Sequence, residues 1–196
     1  MKSTWKARRG LTGNQSAVRL AHTLTGVAGA MMPFYAAIRR DSRYASTWSK
    51  AVTAADLDHL IRLLKRVSPQ AGRQDVGTNG IGYFVAFKTA QPESYYTNGT
   101  TIPPGMVQFT FSTHVHRTMA GELLPLYREL ACNRAFAAAL ARAVVCKDRK
   151  AVCIMVRSLV RTKALRTIQI EEQGVAMTFK YPFSRYPYRN LLFSGF

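Results

Sequence analysis

The chain predicts an α+β fold: a central antiparallel sheet of two hairpins, about residues 80–116 and 165–181, packed with helices. A strand apolar on both faces over 80–90 and an alternating one over 106–116 mark the first hairpin, and 166–171 with 175–181 mark the second. Elsewhere apolar residues recur at three- and four-residue spacing, the period of a helix. With 196 residues, 47% of them hydrophobic and 19% charged, the chain is long enough and apolar enough to bury a core. No stretch repeats another at a fixed period, so the expectation is one α+β domain over 14–181. A basic N-terminal arm (1–13) and an aromatic and basic C-terminal extension (182–196) flank it.

The charge is nearly all of one sign, 28 Lys and Arg against 10 Asp and Glu, a net +18. It is also unevenly placed. Residues 1–50 carry 9 basic and 1 acidic side chain, 51–131 carry 7 and 6, and 132–196 carry 12 and 3. Self-repulsion of that size destabilises a compact monomer, which predicts a polyanionic partner. The odd set Cys132, Cys146 and Cys153, with no CxxC spacing, reads as free thiols of a reducing, intracellular compartment.

Taken in order, the arm holds Lys2, Lys6, Arg8 and Arg9 with Trp5 and no acid, a polyanion-binding composition that also suits a merely solvated tail. The polar residues after it and Arg19 argue against a cleaved signal. Leu20, Leu24, Val27 and Met31 share a helix face, and Pro33 is expected to break that helix. Its uncharged length invites a membrane reading, but His22, Thr23, Gly26 and Gly29 dilute the hydrophobicity too far for a span. Thr53 with Asp56 three residues on reads as a capping box opening the next helix, whose stripe is Leu57, Leu60, Ile61 and Leu64.

After the first hairpin, whose loop 91–105 is rich in Pro, Gly, Asn and Thr, come three helical patterns. Pro125 is expected only in the first turn of the first of them, Asn133 caps the second, and Asp148 caps the third. On the third, Lys150, Arg157 and Arg161 lie opposite the apolar stripe, with Lys163 and Arg166 following. The chain ends by interleaving Lys180, Arg185 and Arg189 with Tyr181, Tyr186, Tyr188, Phe193 and Phe196.

Catalysis has little to stand on. Asp56 and Asp148 are committed to helix starts, and Glu171 and Glu172 point to opposite strand faces. The glycines of 77–82 have the spacing of neither a dinucleotide loop nor a P-loop. His114 and His116 share a strand face in this reading and are weak metal candidates, lacking further ligands at useful spacing. The expectation is therefore a non-enzymatic, cofactor-free protein. It binds nucleic acid or another polyanion through the cations named above, with the tyrosines and phenylalanines as stacking or assembly surfaces. The aromatic tail motivates self-assembly into a homo-oligomer, and the alternative of a purely structural assembly such as a capsid-like shell, spore or storage array, or filament. The apolar stretch 20–38 followed by Arg39, Arg40 and Arg43 keeps an anionic membrane surface as a third partner class.

Overall fold

The structure, a computed structural model, describes residues 2–89 and 94–195, with side chains described for 13–89 and 94–195. Helices α1 (Lys2–Arg40), α2 (Ser42–Thr53) and α3 (Leu57–Val67) lead through a short 3-10 turn into strands β1 (Asp75–Thr78), β2 (Gly82–Lys88) and β3 (Tyr95–Thr101). The same order then recurs: α4 (Thr113–Cys132), α5 (Arg134–Val145), α6 (Arg149–Leu159), β4 (Leu165–Glu171), β5 (Gly174–Phe179) and β6 (Tyr188–Ser194). The strands form one antiparallel sheet in the order β1-β2-β3-β6-β5-β4.

This is an internal duplication, where the sequence reading expects none. Tyr35 and Tyr127 lie 92 positions apart, and the same spacing relates the two halves element by element. Asp41 and Asn133 cap α2 and α5; Asp56 and Asp148 cap α3 and α6. The turns between those helices place Ala55 and Lys147 at φ values of 53° and 55°. Strand register agrees as well: Tyr83 opposes Thr100 as Val175 opposes Leu192. Gly99 opposes its own equivalent, Leu191, so the pseudo-two-fold axis passes between β3 and β6.

Four equivalent polar side chains sit buried on that axis. Asn98 accepts from the Tyr35 hydroxyl at 3.0 Å and donates to the Tyr127 hydroxyl and to Leu191 O. Asn190 mirrors it, accepting from Tyr127 at 3.0 Å and donating to Tyr35 and Gly99 O. The two tyrosine rings lie 4.6 Å apart. Every polar atom of the four side chains has a partner, which is what makes their burial tolerable.

Several expectations change. Residues 106–116 are not a strand: Ser112 Oγ accepts from Val115 N–H and starts α4 inside the alternating stretch. The partner of β2 is instead Tyr95–Thr101, from the stretch whose Asn98 and Gly99 resemble a turn. Pro33 and Pro125 both lie inside continuous helices. Each is exposed, while Phe34, Tyr35 and Ile38, and equivalently Leu126, Tyr127 and Leu130, stay buried past it. Burying three large side chains on each helix outweighs the roughly 3 kcal/mol that an interior proline costs. Thr53 ends α2, and Asp56 itself is the cap of α3, accepting from His59 N–H at 2.9 Å. Finally, Tyr188–Ser194 is no extension beyond the domain but β6, hydrogen-bonded between β3 and β5. Among the described residues, no helix is long and apolar enough to cross a membrane.

Candidate nucleic-acid interface

One end of the sheet gathers most of the C-terminal cations named from sequence. The Arg157 guanidinium, on the last turn of α6, donates to Leu165 O at 3.3 Å and to Arg166 O at 3.4 Å. Arg161 Nε caps the same helix end through Ser158 O at 2.7 Å. Lys180 N–H donates to Ala164 O at 2.9 Å, which brings the end of β5 beside Lys163. The Lys180 ammonium then holds the following loop by donating to Ser184 O and, at 3.0 Å, to Arg185 O. Arg157, Arg161, Lys163, Arg166, Lys180 and Arg185 thus converge on the α6–β4 connection and the β5–β6 loop, drawn from segments that sequence alone leaves separate. Arg157 and Lys180 spend part of their donor capacity on backbone carbonyls, so their charge is fixed in place while Lys163, Arg166 and Arg185 remain exposed. Lys150 is exposed as well, on the first turn of α6, but away from this end of the helix.

A series of rings crosses the same loop. Phe179 stacks on Tyr181 (6.3 Å, 8° between planes), and Tyr181 on Phe183 (5.1 Å, 24°). Phe179 and Tyr181 are buried, whereas Phe183 is 52% exposed. His114 leans on Phe183 with centroids 4.4 Å apart. The Tyr181 hydroxyl donates to Glu122; burial first, then that hydrogen bond, push its pKa far above the usual phenol value. Arg185 lies over the Tyr186 ring at 5.4 Å. Further along the rim, Phe109 is 68% exposed, held at φ 48° with its ring against Gly80. Gly80 itself has φ 77°, and a Cβ there would come within 2.8 Å of that ring, so a side chain at this position would be strained and would displace Phe109.

No protein-family model, curated protein or solved structure matches this chain.

The remaining sequence candidates fall elsewhere. Side chains of Lys2, Lys6, Arg8 and Arg9, and all of Phe196, lie outside the described residues. Arg189 is paired with Glu171 at 2.5 Å and is not a free cation. Tyr188 is buried, its hydroxyl accepting from Ser112 N–H at 2.7 Å, and cannot stack on a ligand. Phe193 is half-buried in β6, a strand hydrogen-bonded inside the sheet.

His114 and His116 do not share a face. They start a helix instead of lying on a strand, leaving His114 exposed and His116 fully buried. His116 Nε2 lies 3.0 Å from the Tyr83 hydroxyl, and its Nδ1 has no partner. Burial lowers its pKa from 6.5 to about 3, so the ring is neutral at physiological pH. Two imidazoles so placed cannot hold one ion, and the described residues contain no group of three or more metal-ligating side chains.

Sequence reasoning missed Phe109, Phe183 and His114 as part of the site. Phe183 lies between two prolines, Pro182 and Pro187, a spacing that marks a loop in the sequence.

Proposed function

We propose that this chain is a non-enzymatic protein that binds single-stranded nucleic acid, without base specificity, across the end of the sheet formed by the α6–β4 connection and the β5–β6 loop. The observation that carries this reading is the half-exposed Phe183 ring, ending a stacked series among Lys163, Arg166 and Arg185. A ring of that kind offers a base a π-face, and neighbouring cations neutralise its phosphates. Unpaired bases reach such a surface, whereas those of a duplex are already stacked. The interface carries charge and stacking without a set of polar side chains that would read base edges, so recognition stays at backbone level.

The charge balance agrees. Among the described residues the one Lys or Arg paired with a carboxylate is Arg189, on Glu171, so nearly every exposed Lys and Arg lacks an acidic partner. The test is fluorescence anisotropy with a labelled single-stranded oligonucleotide. Phe183→Ser should weaken binding by about 5- to 100-fold, the value of one to a few kcal/mol of base stacking. Unchanged affinity would remove the reading.

A further inference from the structure

Phe109 is held in place against its backbone preference. Its φ of 48° lies in the left-handed region, which a bulky side chain rarely adopts, yet its ring is 68% exposed. Burial therefore does not explain the strain. Strain of this kind persists only where the surroundings impose it, and it gathers at ligand-binding positions. Gly80 leaves room for the ring, two of whose carbons lie within 3.2 Å of where a Cβ would stand. At the spacing of 92 residues the equivalent position is Ala17, buried within the continuous helix α1. The exposed ring is peculiar to the second half and is not something the duplicated fold requires.

Phe109 and Phe183 are the exposed phenylalanines among the described residues, and strand register puts both at one end of the sheet. Gly82, just after Gly80, opposes Thr101; Thr101 opposes Arg189; and Arg189 opposes Thr178, next to Phe179 where the stacked series begins. Strands β2 and β5 are three spacings apart in the sheet, about 15 Å. The chain itself bridges that gap. Phe111 packs on Tyr188 at 5.5 Å, and His114 leans on Phe183 at 4.4 Å. Residues 102–114 and 179–189 contain no Asp or Glu. Glu122, approaching from α4, is engaged by the Tyr181 hydroxyl, and Glu171 by Arg189.

We propose that Phe109 is a second base platform, so that one single strand crosses this end of the sheet with a base on Phe183 and another on Phe109. This second platform rests on the reading of Phe183 as the first, and it sets a footprint. At about 3.4 Å per stacked nucleotide, about 15 Å takes about four to five nucleotides. A shorter strand reaches one ring only, and the cations Lys163, Arg166 and Arg185 make Phe183 that ring.

The test is anisotropy titration of the full chain with labelled oligothymidylates of three and of six nucleotides. Phe109→Asn removes the ring but suits the backbone, since asparagine tolerates positive φ, and thermal unfolding checks that the variant is folded. It should weaken binding of the longer strand by about 5- to 100-fold and that of the shorter by less than about two-fold. Phe109→Trp keeps a platform and should keep the affinity, and its added indole fluorescence, measured against the native chain, should be quenched by the longer strand. That second readout serves if the asparagine variant does not fold. Unchanged affinity of Phe109→Asn for the longer strand, an equal loss at both lengths, or an unquenched indole would each overturn the second platform while leaving the first in place. If Phe183→Ser binds as the native chain does, both platforms fall together.

Discussion

His116 makes the stability of this protein depend on pH in a way that can be calculated. The ring is fully buried among Phe34, Tyr83 and Phe111, and burial lowers its pKa from 6.5 to about 3. The unfolded chain therefore takes up a proton as pH falls through about 6.5, while the folded chain refuses it until about pH 3. A site depressed in the folded state contributes its full stability above the unfolded value and loses it on acidification. The loss is about 1.4 kcal/mol per pH unit, so about 2 kcal/mol between pH 6.5 and 5 and about 5 kcal/mol at the limit near pH 3. The facing hydroxyl of Tyr83 stays neutral throughout, since burial raises its pKa well above the usual phenol range. Replacing His116 by Leu, the residue at its equivalent position Leu24, removes the titration. Tyr83 keeps its contact with Thr100 Oγ1 at 3.3 Å, and the unpartnered Nδ1 disappears. Urea unfolding at about pH 7.5 and about pH 5 measures the effect by linear extrapolation. Between those two pH values His116→Leu should lose about 2 kcal/mol less stability than the native chain. Identical losses in the two proteins would refute the buried, neutral imidazole.

Three further outcomes follow from the duplicated architecture. Asn98→Leu and Asn190→Leu should each destabilise by about 2–4 kcal/mol, because each strands two buried tyrosine hydroxyls, and the double variant should cost clearly less than the sum; thermal or urea unfolding of the four proteins gives the coupling. Glu172 and Gln173, the two central residues of the β4–β5 turn, have φ values of 45° and 51°. Changing the pair to Asn-Gly should stabilise the protein by about 0.5–1 kcal/mol, read as a rise in Tm, since that turn favours residues that tolerate positive φ. Lys163→Glu with Arg185→Glu should reduce the slope of log affinity for single-stranded oligonucleotide against log salt by about one to two, whatever the oligonucleotide sequence.

Parts of the fold were legible because local chemistry decides them. Asn133 and Asp148 announce the starts of α5 and α6, and their side chains do accept from Phe136 and Ala151 N–H. The apolar runs over 166–171 and 175–181 make the second hairpin visible, although the sequence places its turn at Gln173 and Gly174 and the strands close around Glu172 and Gln173, one residue earlier. The stretch 106–116 misled because Val107, Phe109, Phe111 and Val115 alternate as a strand does. A serine cap four residues from the end of that run overrides the pattern, and Phe109 reaches an exposed position only through a backbone conformation that a phenylalanine rarely adopts. The strands β3 and β6 were hidden for a related reason. Each carries an asparagine at its centre, which reads as a turn or a polar tail until the pseudo-two-fold axis supplies both asparagines with tyrosine partners. The duplication left one readable signal, Pro-x-Tyr at Pro33 and Pro125 together with Tyr-x-Asn at Tyr96 and Tyr188, at the same spacing. Most surface positions differ between the halves, so that signal rests on a few buried or conformationally special residues. As for the interface, its charges were visible from sequence but their convergence was not, because Lys163 and Lys180 meet only through strand pairing.

The central claim is that a half-exposed aromatic ring set among cations binds unpaired bases. It is tested most directly by anisotropy titration of the native chain and Phe183→Ser with a homopolymeric single strand and with a duplex of equal length. The account predicts that the native chain binds the single strand more tightly, and that the substitution removes this preference while leaving the salt dependence in place. Equal affinity of the native chain for both forms, or a preference that survives the loss of Phe183, would contradict it.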